Sequence, residues 1–101
     1  MTPDDDTARW LVMGGRRWRR TDPALPSELA DALRSHLGSA RSMVGVAKRG
    51  GDRERMADAR RRVDLAKHGL GERGPRWWDE PEAARLDRAQ AALEQLDRTA
   101  H

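Results

Sequence analysis

The chain has 101 residues, 37% of them apolar and 37% charged, with a formal net charge of +3. That length suits one domain, and the lack of cysteine excludes disulfides and thiolate metal sites. No apolar run approaches the roughly 20 residues that cross a bilayer, and the acids Asp4, Asp5 and Asp6 reverse a signal peptide's basic start, so a cytoplasmic location away from membranes is expected.

There is no Phe or Tyr, and the only rings besides His are Trp10, Trp18, Trp77 and Trp78. The core must therefore come from Ala, Leu and Val plus some of these indoles, and a core so modest leaves stability marginal or shared with a partner. Charge is distributed unevenly. Residues 9–20 hold five arginines and no acid, residues 48–62 hold seven basic groups against three acids, and residues 79–98 hold six acids against three arginines.

Residues 1–8 read as a disordered acidic tail and residues 9–101 as a single domain. Gly14-Gly15 lies between two short runs, Arg9 to Met13 and Arg16 to Arg20. Paired glycines supply the positive φ of a tight hairpin turn, which predicts a β-hairpin over residues 9–20 with Leu11 opposite Trp18 and Trp10 opposite Arg19. Thr21-Asp22-Pro23 then breaks the chain.

A first helix is expected over residues 26–49. Ala30, Leu33, Leu37, Ala40, Val44 and Ala47 recur at steps of three and four, the stripe of an amphipathic helix, and Leu29, His36 and Met43 widen it. Gly50-Gly51 ends this helix and Asp52 is a natural N-cap for a second over residues 52–69, seamed by Met56, Ala59, Val63, Ala66 and Leu70. A short glycine turn between two amphipathic helices predicts an antiparallel helical hairpin. A loop from Gly69 to Pro75 leads through Trp77-Trp78 to a third, acidic helix over residues 79–98, seamed by Leu86, Ala89, Leu93 and Leu96. The fold class is mainly α.

Gly69-x-Gly71-x-x-Gly74 spells a dinucleotide fingerprint, but that motif works only after a strand and at a helix start. Here a helix precedes it and Pro75 follows, so these glycines are expected to end a helix. His36, His68 and His101 are too far apart for a ligand set, and His36 falls within the apolar stripe. No acid, base or metal-binding constellation points to an enzyme or a cofactor.

Tryptophan stands beside arginine at Arg9-Trp10, Arg17-Trp18-Arg19 and Arg76-Trp77-Trp78. Guanidinium binds phosphate and indole stacks on bases, which suits a nucleic-acid surface. The same pairs fit a core in which arginine stacks on indole, with Trp18 and one of Trp77 or Trp78 buried. On the second helix Arg53, Arg60 and Lys67 recur every seven residues, with Arg55, Arg61 and Arg62 adjacent. Glu54 alone interrupts that face. A one-signed stripe suits a phosphate backbone; a solvated face, or pairing with the acidic third helix, suits it at least equally.

Two stretches carry a family resemblance: Arg9-Trp10-Leu11-Val12 with the run from Gly15 to Pro26, and Leu70-Gly71-Glu72-Arg73-Gly74-Pro75 leading into Trp77-Trp78. Together they resemble a family of small bacterial proteins, common in high-GC genomes, whose members often carry a label tying them to Tol-type biopolymer transport. The resemblance spans residues 9–78 and implies no catalytic residues. Transport would call for a membrane segment or an export signal, and neither is expected here.

The expected function is that of a small non-catalytic binding protein with nucleic acid as partner, its phosphate contacts made by Arg16, Arg17, Arg19, Arg20, Arg53, Arg60, Arg61 and Lys67. The alternative is a protein-interaction module that dimerises or docks a partner through its helical seams.

Overall fold

The computed structural model describes residues 7–99. The acidic stretch at Asp4, Asp5 and Asp6 and the terminal His101 lie outside the described residues. Thr7 and Ala8, assigned to the tail from sequence, belong to a helical turn that runs into the first strand.

Strands β1 (Trp10–Met13) and β2 (Arg16–Arg19) pair antiparallel in the expected register, with Trp10 facing Arg19 and Leu11 facing Trp18. Gly14 and Gly15 have φ of 59° and 77°, the left-handed pair that a two-residue primed turn requires. Alternation divides the hairpin into two faces. Trp10, Val12, Arg17 and Arg19 share one, and Leu11, Met13, Arg16 and Trp18 the other.

Helices α1 (Ser27–Gly50) and α2 (Arg53–Leu70) form the antiparallel hairpin. Gly51 closes α1 in the left-handed conformation, and the Asp52 carboxylate caps α2 by accepting from the Arg55 amide at 3.0 Å. Helix α3 (Glu82–Thr99) lies mostly across α2 and touches α1 less. It starts three residues beyond the expected 79, because Glu80 precedes Pro81. Proline's ring disfavours helical backbone in the residue before it, and Glu80 is extended at φ −119°, ψ 149°. Trp77–Asp79 form a separate 3-10 turn. Among the described residues no helix is long and apolar enough to cross a membrane.

The core gathers Leu33 and Leu37 of α1, Ala66 and Leu70 of α2, and Ala89, Ala92 and Leu96 of α3, with Leu25 at its margin. Val44 and Val63, expected within the seams, are only half-buried. Small residues let the helices approach closely. Gly69 is the extreme case, since a Cβ there would lie 2.9 Å from the Ala92 Cβ and 3.1 Å from a Leu33 methyl. Gly69 thus lies within α2 as a packing residue, and Gly71 alone supplies the left-handed cap that ends it. This differs from the expectation that all three glycines of the motif act as terminators.

Two contacts fasten the hairpin and the Trp loop to the helices. Trp77 is 7% exposed and its indole N–H donates to the Arg20 carbonyl at 3.0 Å. Asp22 is 3% exposed and grips Arg85 of α3 with both carboxylate oxygens, at 2.5 and 2.8 Å. Its own amide donates to the Leu70 carbonyl at 2.9 Å, which pins the loop before α1 to the end of α2.

Candidate nucleic-acid interface

Lys48, Arg41 and Arg34 project from α1 at seven-residue steps, and Arg53, Arg60 and Lys67 do the same from α2. Because the helices run antiparallel, the two rows meet in opposite order across one groove of the hairpin. Lys48 shares a cleft with Arg53 and Arg60, Arg41 shares the next with Arg60, and Arg34 and Arg41 share a third with Lys67. Shared residues make the three clefts adjoin. The result is a ladder of three cationic rungs, spaced roughly 10 Å apart by the rise of about 1.5 Å per residue.

The cations in the middle and at one end of the ladder are unoccupied. Arg41, Lys48, Arg53 and Arg60 have no ion-pair or hydrogen-bond partner among the described side chains. The acids along the groove are engaged. Asp52 caps α2, Asp64 pairs with Arg73 at 2.8 Å, and Glu72 accepts from the Thr21 hydroxyl at 2.7 Å. Arg34 pairs with exposed Asp31 at 3.1 Å, a surface contact worth little. The acidic third helix does not neutralise the stripe. Asp97 pairs with His36 at 2.7 Å, and Arg62 reaches α3 only at the Thr99 hydroxyl and the Leu96 carbonyl.

Lys67 closes the ladder beside the β-hairpin. It is 9% exposed, and its ammonium sits 5.3 Å from the centre of the Trp18 ring. Burial lowers its pKa from the usual value; the nearby charges of Arg73 and Arg41 lower it further, and Glu72 opposes them. The third cleft, about 630 Å³, lies between this end of the helical hairpin and the hairpin face that bears Leu11, Met13 and Trp18. Arg20 borders the same cleft while its Nε donates to the carbonyls of Thr7 and Trp10.

The remaining sequence-predicted residues are distributed elsewhere. Arg16 lies against Trp18, its guanidinium carbon 4.7 Å from the ring centre. Arg17 belongs to the opposite hairpin face and covers Trp10 at 4.3 Å. Arg19 is committed to the fold, donating to the carbonyls of Gly74 at 2.8 Å and Pro75 at 3.2 Å. Burial lowers its pKa, and the charges of Arg76 and Arg88 add to that shift. Arg61 pairs with Asp58 at 3.2 Å and lines a further cleft with Arg62 and Gln95, which adjoins the ladder at Arg60.

Trp18 was expected in the core and is 39% exposed. The hairpin face that turns towards Trp78 carries Trp10 instead, so alternation directs Trp18 to the cleft. Trp78, adjacent to buried Trp77, meets Trp10 edge-on at 5.6 Å and has Arg9, Arg19 and Arg76 within 6 Å of its centre. Trp78 and Trp10 are half-buried, which leaves Trp18 as the most exposed of the four indoles.

The sequence reading missed the α1 row entirely. Arg34, Arg41 and Lys48 stand on what looks like an ordinary solvated side of an amphipathic helix, and the seven-residue spacing was the available signal. Compared with known proteins, the chain matches no family model, no curated protein and no solved structure.

Proposed function

We propose that the protein is a non-catalytic binder of nucleic acid, holding a phosphate backbone along the groove between α1 and α2. The observation that carries this reading is the two-row ladder of cations with its unpartnered central residues. Intramolecular salt bridges would have satisfied such a stripe if its purpose were stability. Left open and facing one groove, these side chains can instead release counterions by neutralising phosphates. The phosphate contacts are assigned to Arg34, Arg41, Lys48, Arg53, Arg60 and Lys67, with Arg16 and Arg20 beside them. Arg17 lies on the opposite hairpin face, while Arg19 and Arg61 border the groove with their guanidinium groups engaged by backbone carbonyls and by Asp58.

The reading as a docking module finds less support. The helical seams that would receive a partner are filled by α3 and by each other. The exposed large apolar residues are divided between the hairpin, at Leu11, Val12, Met13 and Trp18, and the α1 surface, at Met43 and Val46.

Affinity for a labelled oligonucleotide at low salt tests the proposal. Arg41→Gln with Arg60→Gln should weaken binding roughly tenfold, the sum of two modest exposed ion pairs. Arg17→Gln with Arg98→Gln removes the same net charge away from the groove and should change little. Equal losses from both pairs would show only a general attraction of a cationic protein for a polyanion.

A further inference from the structure

At one end the ladder runs into the cleft walled by Trp18, where an aromatic ring joins the cations and the aliphatic side chains that line the rest of the groove. Leu11, Met13 and Trp18 project from one face of the hairpin, opposite Arg34, Arg41 and Lys67 of the helices. A duplex backbone would have no use for an apolar wall, since the base faces of a duplex are stacked on one another. An unpaired nucleotide would use both sides of the cleft, presenting a π-face and a phosphate to adjoining surfaces.

We infer that the ligand is single-stranded, with one unpaired base stacked on Trp18 while the phosphates that follow it run along the ladder. This rests on the phosphate-binding reading above. Three features of Trp18 support it. Trp18 is 39% exposed, whereas Trp77 is buried and Trp10 and Trp78 are half-buried. It is held in place by strand pairing with Leu11, so stacking demands little further ordering. Two cations also stand near it, Arg16 at 4.7 Å and Lys67 at 5.3 Å from the ring centre. Arg16 is exposed and free of ion pairs among the described residues, so it can move from the indole to a base or phosphate. Preference for a particular base is not part of the inference, because every base presents a π-face.

The test compares three 15-nucleotide ligands of equal charge per strand: an oligothymidine, an abasic strand with the same backbone, and a duplex. The parent protein should bind oligothymidine about tenfold more tightly than the abasic strand and prefer it to the duplex, in line with the contribution of one stacked base. Trp18→Ala should abolish the difference between oligothymidine and abasic strand, and Trp18→Phe should keep most of it. Equal binding of the two strands by the parent, or tighter binding of the duplex, would overturn the inference and leave the ladder standing. If none of the three binds at low salt, the ladder fails and this inference with it. The parent comparison needs no variant, so a folding defect in Trp18→Ala cannot obscure the result.

Discussion

Arg85→Met leaves Asp22 buried without its counter-charge, and the size of the effect follows from the geometry. Asp22 is 3% exposed and both its oxygens bind Arg85, while its other side-chain contact is the Ala24 amide at 2.9 Å. Removing one partner of a buried pair costs about 3–5 kcal/mol. The Arg85 side chain retains 14% exposure, so the lower end applies, about 3 kcal/mol out of a total of roughly 5–15. For a domain of this size that lowers Tm by about 12 °C or more. Burial alone would push the Asp22 carboxyl up, but the hydrogen bonds and charge of Arg85, with the Ala24 amide and the charge of Arg88, outweigh it and hold the group below the usual carboxylate value. The pair's contribution is therefore complete above the ordinary carboxylate pKa and is lost as pH falls through the lowered one. In Arg85→Met the sign reverses. Asp22 then prefers its proton, and the variant gains stability as pH drops towards 4, the ordinary carboxylate range. Thermal unfolding by circular dichroism between pH 3 and 8 would follow both slopes. Adding Asp22→Asn to Arg85→Met should recover part of the loss at neutral pH. An unchanged Tm in the single variant, or no recovery in the double, would refute the buried-pair reasoning.

Other perturbations test the packing and the groove. Gly69→Ala places a methyl against Ala92 and Leu33 and should destabilise by about 1–3 kcal/mol in chemical denaturation, with little change in m-value. Trp77→Ala should cost about 3–5 kcal/mol, because a buried ring and its hydrogen bond to the Arg20 carbonyl are both lost; a small cost would detach the Trp loop from the core. Lys67→Met removes a desolvated ammonium and should raise Tm while weakening oligonucleotide binding; a lower Tm with unchanged affinity would assign Lys67 a purely structural role.

Local signals carried most of the fold. Gly14-Gly15 sets the hairpin register by itself, since few residues besides glycine accept two successive positive φ values, and the three-four spacing of α1 depends on no distant contact. Legibility falls where two elements must meet. The α2 stripe was visible as Arg53, Arg60 and Lys67, but its partner row on α1 means nothing until the helices pair in antiparallel order. Trp18 illustrates a second limit. Counting bulky residues made it core, whereas strand alternation put Trp10 on the face that meets Trp78 and turned Trp18 away. The start of α3 shows a third, because the acids Asp79 and Glu80 suit a helix start while Pro81 excludes helical backbone at Glu80.

The salt dependence of oligonucleotide affinity tests the cationic ladder most directly. Six neutralised phosphates predict a slope of log K against log salt near −4 on a single strand, and about −5 on B-form duplex. Removing Arg41 and Arg60 together should flatten the single-strand slope by about 1.4, whatever the sequence of the strand. A slope near zero in the parent, or one that Arg41→Gln with Arg60→Gln leaves unchanged, would contradict the ladder.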